Sequence, residues 1–404
     1  MRTSIGMLLS ATMVTTAAVA QAPVRLGPPP GGTASYRISA NTTSGLGAMM
    51  SRGGGGMGAM MGAMMNGGGM SGGMSQTNPL IANALTLSRA ALTGPFQGAT
   101  LSIALPTPLD KPERLAYWAA GPRMAVCELE LLSGLHFDVN QGKASMTLGF
   151  VDLNKKPLKD VALARLARPT EKIFKHQLDL VANYSELRED RGAEILAQIS
   201  DCGTFFASII GLTAHRHKYT LELLDLAMSL ATHVHMRFKH GFACPRPVEL
   251  SPQVQPMIPT PGHAAWPSGH ATEAYLTCTL LQALLPQGSS HKEQLERLAA
   301  RIAVNRTVAG LHYPVDSAVG RLLGTALSGF MVARCTGGKL HERGFNGAKF
   351  HDAKGQVIDF DPRVSMADNQ SGYYELLAGA HSIAASPLLQ FMWGKAADEW
   401  KPLK

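Results

Sequence analysis

The chain has 404 residues, 45% of them hydrophobic, which is enough to bury a sizeable core, and its formal net charge of +8 favours anionic substrates or surfaces. The positive charge is spread along the sequence instead of forming a Lys/Arg block, so a small anionic substrate is expected and a nucleic-acid partner is not. Five cysteines, Cys127, Cys202, Cys244, Cys278 and Cys335, allow at most two disulfides and contain no Cys-x-x-Cys pair, which excludes a cysteine-based metal site.

Residues 1–20 carry an early Arg2, an apolar stretch from Met7 to Ala18, and Ala18-Val19-Ala20 before Gln21. This is the pattern of a cleaved secretory signal and predicts a periplasmic or secreted protein. Residues 21–85 form a low-complexity leader. Between Gly45 and Met74 it is almost entirely Gly, Met, Ala and Ser, a composition that cannot offset chain entropy by burial, so disorder is expected. Its methionine thioethers are soft ligands for Cu(I), but an adaptable linker is the simpler reading of such a tract.

A single domain is expected over residues 86–345. Ala99–Leu105 partly alternates and suggests a short strand, while Pro112–Leu132 suggests a helix broken near Gly121-Pro122. No proline lies between Pro169 and Pro245, and apolar residues there recur at helical spacing. The clearest helix is Tyr219–His240, where Leu221, Leu224, Met228, Ala231, His235 and Phe238 form one stripe that ends at Gly241. Further helices are expected over Ala271–Leu285, Glu293–Arg306 and Val315–Ala333. In the last, Gly320, Gly324 and Ser328 share a face that would let a neighbouring helix approach closely. Arg321 interrupts the most apolar of these runs, so no integral membrane segment is expected after signal removal. The tail, residues 346–404, reads as loop up to a possible closing helix at Tyr373–Trp393. The expected fold class is therefore all-α, a helical bundle with its site between central helices.

Three segments carry chemistry. Lys239 and Arg246-Pro247 present two cations at a helix end and a stiffened turn. Pro267-Ser268-Gly269-His270 opens a helix, with Ser268 a candidate N-cap; first-turn N–H groups and the helix dipole attract an anion there, and Gly269 lets it reach the backbone. Arg306, His312 and Asp316 follow with the spacing Arg-x5-His-x3-Asp. Phosphoryl transfer needs positive charge on the equatorial oxygens and an in-line nucleophile. Lys239, Arg246 and Arg306 can supply the charge, His312 oriented by Asp316 can attack, and His270 can protonate the leaving oxygen.

Together these segments resemble the signature of the superfamily that unites type-two phosphatidic acid phosphatases, bacterial acid phosphatases and vanadium-dependent haloperoxidases. The resemblance implies a helical bundle in which Lys239, Arg246, Ser268, Gly269, His270 and Arg306 bind phosphate or vanadate. It makes His312 the phosphohistidine nucleophile of a phosphatase, or the histidine bonded to vanadium in a haloperoxidase. Asn305 stands where many members have Ser.

Outside the motifs, His233, His235 and His240 do not share a helix face, so core or surface roles are preferred to a metal cluster. His263, seven residues before His270, matches the second active-site histidine of the algal bromoperoxidases, and Trp266 could wall a substrate or halide pocket. The short stretch between His270 and Asn305 lacks the longer insertions of the well-known haloperoxidases. An exported phosphatase of soluble phosphomonoesters, needing no cofactor, is therefore the favoured expectation. A vanadate-dependent haloperoxidase is the alternative, and a phosphate-binding protein without turnover is third. Nothing in the sequence bears on oligomeric state.

Overall fold

The computed structural model describes residues 79–92, 94, 105–153, 157–367 and 369–401, all within one compact unit. The signal-like segment, the Gly/Met-rich tract and all but the last residue of the strand expected at Ala99–Leu105 lie outside them. The boundary expected near residue 85 falls inside α1, Pro79–Leu92, whose described side chains are exposed.

The chain then forms α2 (Ala120–Leu132), β1 (Leu135–Asn140), β2 (Ser145–Val151) and β3 (Asp160–Ala167). A helical block follows: α3 (Glu171–Tyr184), α4 (Arg188–Ala197), α5 (Gly203–Ile210), α6 (Lys218–Phe242), the single turn α7 (Pro247–Leu250), α8 (Gly269–Leu284), α9 (Lys292–Val308) and α10 (Pro314–Thr336). It closes with β4 (Gly338–Asn346), β5 (Tyr374–Ile383) and α11 (Pro387–Asp398).

The expectation of an all-α fold is corrected by a five-stranded mixed sheet in the order β1-β2-β3-β4-β5. Neighbouring strands are antiparallel except β3 and β4, which run parallel with Leu166 opposite Phe345. The whole helical block is thus the crossover between two adjacent parallel strands, a connection that antiparallel pairs do not need. The strands escaped the sequence reading for a physical reason. In β3 the buried residues Val161, Leu163, Ala164 and Leu166 break strict alternation, and β5 is built from Leu, Ala and Glu, which favour helices in isolation. Long-range pairing overrides both signals. The helix expected at Tyr373–Trp393 is accordingly β5 followed by α11.

The Gly121-Pro122 break is the first turn of α2, where a missing proline N–H costs nothing. The four central helices match the periodic segments to within a few residues. α8 packs along α10 through the expected small-residue face: a methyl on Gly320 would lie 2.7 Å from Ala271 Cβ, and one on Gly324 would overlap the Thr272 carbonyl oxygen. α10 also covers the sheet, with the Phe150 and Phe330 rings 5.0 Å apart. All five cysteines are buried free thiols, so neither allowed disulfide forms. Among the described residues no helix is long and apolar enough to cross a membrane.

Candidate active site

The site lies where α6, α8, α9 and α10 end or begin. Lys239 sits in the last turn of α6, and Ala243, with φ +48°, turns the chain out of that helix. Arg246 caps α7, its backbone N–H donating to the Glu249 carboxylate. Ser268 caps α8: its hydroxyl accepts from Ala271 N at 3.3 Å, and its own N–H donates to the Asp316 carbonyl at 3.1 Å, tying the start of α8 to the start of α10. The first intrahelical bond of α8 runs from Thr272 N to Ser268 O, so the amides of Gly269 and His270 are first-turn donors with no acceptor in their own helix. Arg306 ends α9, Gly310 turns the chain at φ +79°, and His312 precedes α10, whose cap residue Tyr313 donates its N–H to the Asp316 carboxylate.

His312 is 4% exposed and held at both ring nitrogens. Nδ1 lies 2.8 Å from Asp316 Oδ2, and Nε2 lies 2.9 Å from Arg246 Nη1. A guanidinium can only donate, so Nε2 carries a lone pair and Nδ1 carries the proton that Asp316 accepts. Burial, reinforced by the charges of Arg246 and Lys239, holds His312 well below the usual imidazole range, which keeps it neutral. Burial pushes the Asp316 carboxyl up to about 7, against the pull of Lys239 and Arg246.

Three cations surround this pair, each nearly inaccessible to solvent. Lys239 Nζ donates to the carbonyls of Ala264 and Ala265 at 2.9 and 2.8 Å, and burial followed by repulsion from Arg246 lowers its pKa well below the ordinary lysine value. Arg246 also reaches the Leu311 and His263 carbonyls, and burial brings it down to about 10. Arg306 donates from Nη2 to Gln198 at 3.1 Å, while its buried Nε and Nη1 have no hydrogen-bond partner among the described residues. Two unpaired donors on a buried guanidinium are costly, and a tetrahedral oxyanion would satisfy them.

His270 Nε2 lies 3.1 Å from the Gln198 carbonyl, and burial followed by the Arg306 charge lowers this histidine to about 4. His263 stands at the rim with Nδ1 3.1 Å from Arg246 Nη2; burial, then Lys239, lowers it to about 4 as well. Trp266 is fully buried, packed edge-on to Phe242 at 4.7 Å and tilted to Phe345 at 6.3 Å, on the side of the aromatic cluster.

Several contributors lie outside the spaced motifs. Gln198, fully buried at the end of α4, touches both Arg306 and His270, and no spacing relative to the motifs marks it. Arg188 staples the site's loops to α9 through the carbonyls of Val254, Gln255 and Val308, and its placement beside Gly310 leaves no room for a side chain there. His235, read from its stripe position as a core residue, is buried and paired with Glu273 at 3.2 Å. Its ring also lies 3.3 Å from where a side chain on Gly269 would begin, a tight fit that the ring would have to yield to, so packing favours glycine there as well. Among the described residues no group of His, Cys, Asp and Glu could hold a metal ion.

No curated protein matches the chain. The family model of the PAP2 superfamily matches residues 222–336, a span that begins in α6 and ends with α10 and so takes in all three motifs. Members of that superfamily are generally phosphoester hydrolases. Over residues 222–336 the match thus supports the resemblance to that superfamily which the three motifs carry.

Proposed function

We propose that the protein is a phosphomonoesterase acting through a phosphohistidine intermediate on His312. The observation that carries this reading is the double hold on His312: Asp316 keeps the proton on Nδ1 while the Nε2 lone pair faces the cations. An arriving phosphate would take the place of His312 as the partner of Arg246 and free the Nε2 lone pair for attack. It would also receive the unpaired donors of Arg306 and the first-turn amides of α8.

In the forward step His312 Nε2 forms a bond to phosphorus, the bond from phosphorus to the leaving oxygen breaks, and His270 gives that oxygen a proton. Water then attacks phosphorus, His270 takes back a proton, and the bond between phosphorus and nitrogen breaks to release orthophosphate and neutral His312. No resident cofactor is needed. Soluble phosphomonoesters are the proposed substrates, and the signal-like composition of residues 1–20 supports a reaction outside the cytoplasm.

Vanadate-dependent peroxidation would draw on His263 and Trp266 beside the same cradle. Trp266 lies within the Phe242 and Phe345 cluster, which leaves His263 as that reading's support and favours hydrolysis. The cradle's donors suit either oxyanion, so vanadate is expected to inhibit.

The test is hydrolysis of p-nitrophenyl phosphate by the purified protein, its inhibition by vanadate, and its loss in His312→Ala. Inertness toward phosphomonoesters, together with bromination of a dione by peroxide only after vanadate is added, would replace the phosphatase reading.

A further inference from the structure

We infer that Gln198 is a positioning residue that dictates which atoms of Arg306 and His270 face the bound anion, an inference that rests on the phosphatase reading of the site. Gln198 lies outside the PAP2 match and is the only residue described above that touches both side chains.

Its orientation follows from its partners. Nε2 donates to Glu194 Oε1 at 2.9 Å, and Oε1 accepts from Asn305 Nδ2 at 3.0 Å and from Arg306 Nη2 at 3.1 Å. Turning the amide over would set its NH2 against a guanidinium and its oxygen against a carboxylate, so only one orientation satisfies every group. The surroundings are also held: Glu194 is gripped by Arg301 at 2.7 Å, and Asn305 accepts from Arg191 at 3.1 Å.

For Arg306 the consequence is selection of donors. Gln198 engages Nη2 and leaves Nε and Nη1, both buried, without a hydrogen-bond partner among the described residues. Because an amide is neutral, Arg306 is steered without losing its charge. A glutamate at the same place would orient the guanidinium equally well but cancel the positive charge that the anion needs.

For His270 the consequence is a defined proton. The backbone carbonyl of Gln198 can only accept, so Nε2 is protonated in both charge states, and Nδ1, which has no hydrogen-bond partner among the described residues, is the nitrogen that exchanges a proton with the substrate. Imidazolium Nδ1–H passes its proton to the leaving oxygen, and neutral Nδ1 later takes one from the attacking water. The same carbonyl favours the imidazolium, opposing burial and the Arg306 charge.

The experiment compares the full chain with Gln198→Met, of similar length but with no side-chain acceptor for Arg306, and Gln198→Glu, which keeps that acceptor and adds charge; both keep the backbone carbonyl that holds His270. Orthovanadate affinity is measured by calorimetry, kcat and KM with p-nitrophenyl phosphate, and Tm by thermal melt. Both variants are expected to bind vanadate about tenfold more weakly or worse and to raise KM. Gln198→Glu should also move the alkaline limb of kcat to higher pH, since a nearby negative charge favours the imidazolium. If Gln198→Met does not fold, Gln198→Glu decides alone through its affinity and pH limb. Variants that lose only Tm, with wild-type vanadate affinity, KM and pH limb, would overturn the inference while leaving the phosphatase reading intact. Wild-type protein that neither binds vanadate nor hydrolyses the ester overturns that reading, and the inference with it.

Discussion

Arg246 Nη1 lies 2.9 Å from His312 Nε2, so the cation that would bind the anion and the nitrogen that would attack it satisfy each other when no anion intervenes. Arg246 serves four acceptors at once: the carbonyls of His263 and Leu311, His263 Nδ1 and His312 Nε2. A lysine offers a point charge and cannot span them. Arg246→Lys is expected to lower kcat/KM for p-nitrophenyl phosphate by about 10²- to 10³-fold, the usual effect of removing a preorganised charge-stabilising donor. Steady-state kinetics within a few-fold of wild type would show that the guanidinium geometry is immaterial.

The partner on the other side of the ring sets its tautomer. In Asp316→Asn the new amide can present NH2 to His312 Nδ1, which drives the proton to Nε2 and removes the attacking lone pair. A loss of about 10³- to 10⁴-fold in kcat is expected, comparable to other tautomer-inverting substitutions. Asp316 Oδ2 also accepts the Tyr313 N–H that caps α10, so an asparagine that turns its NH2 to His312 gives up that cap, and a stability loss of about 1 kcal/mol is expected beside the much larger loss of activity. A variant that retains kcat would remove Asp316 from the mechanism.

The unpaired donors of Arg306 link anion binding to stability. Orthophosphate at 100 times its Kd should stabilise the fold by about 2.7 kcal/mol, seen as a higher Tm. Arg306→Met keeps the bulk of the side chain but removes the donors, so most of that increment should vanish while the phosphate-free Tm stays equal or rises, because a buried cation with unsatisfied groups is gone. An equal phosphate-induced shift in both proteins would mean that the anion binds elsewhere.

How legible these features were in the sequence depended on how local their causes are. Lys239, Arg246, Ser268, His270, Arg306, His312 and Asp316 sit at helix ends, where capping residues and fixed spacings speak for themselves. The central helices announced themselves through apolar stripes such as Leu221 to Phe238. Gln198 did not, because its role exists only when α4 meets α9 and α8 in space. The sheet was hidden likewise: β3 and β5 are locally ambiguous, and their partners lie across the entire helical block. Trp266, an aromatic two residues from the cradle, could be placed near the site by sequence, but only packing against Phe242 and Phe345 reveals which way it is used.

Gly320 and Gly324 of α10 should differ in a telling way. A methyl on Gly324 would meet the Thr272 carbonyl, a purely structural neighbour, whereas one on Gly320 would meet Ala271 and lie 3.0 Å from the Ser268 carbonyl at the start of the anion-binding turn. Alanine at either position must push α8 from α10 and is expected to cost about 1–3 kcal/mol in urea unfolding. Only Gly320→Ala should also raise KM, because it displaces Ser268. Equal kinetic effects at the two sites would indicate that the helices move as one body.

The depressed histidines give the pH dependence its sign. His270 and His263 are near 4 in the folded protein against 6.5 when unfolded, so between those values the unfolded chain binds more protons than the folded one. Stability is therefore unaffected by these groups above pH 6.5 and falls as pH drops toward 4, by up to roughly 3 kcal/mol for the enclosed His270 and by less for His263, whose partial exposure lets solvent screen its charge. Activity runs the opposite way, since His270 must hold its proton at Nδ1 for the leaving group. In the free site that form declines as pH rises past about 4, which bounds kcat/KM. A bound phosphate places negative charge beside His270 and raises its pKa, so the alkaline limb of kcat should lie at higher pH than that of kcat/KM. His270→Gln should abolish the limb in both. Coincident limbs, or a limb that survives in His270→Gln, would assign the proton to another group; the separation itself measures how strongly the anion and His270 feel each other.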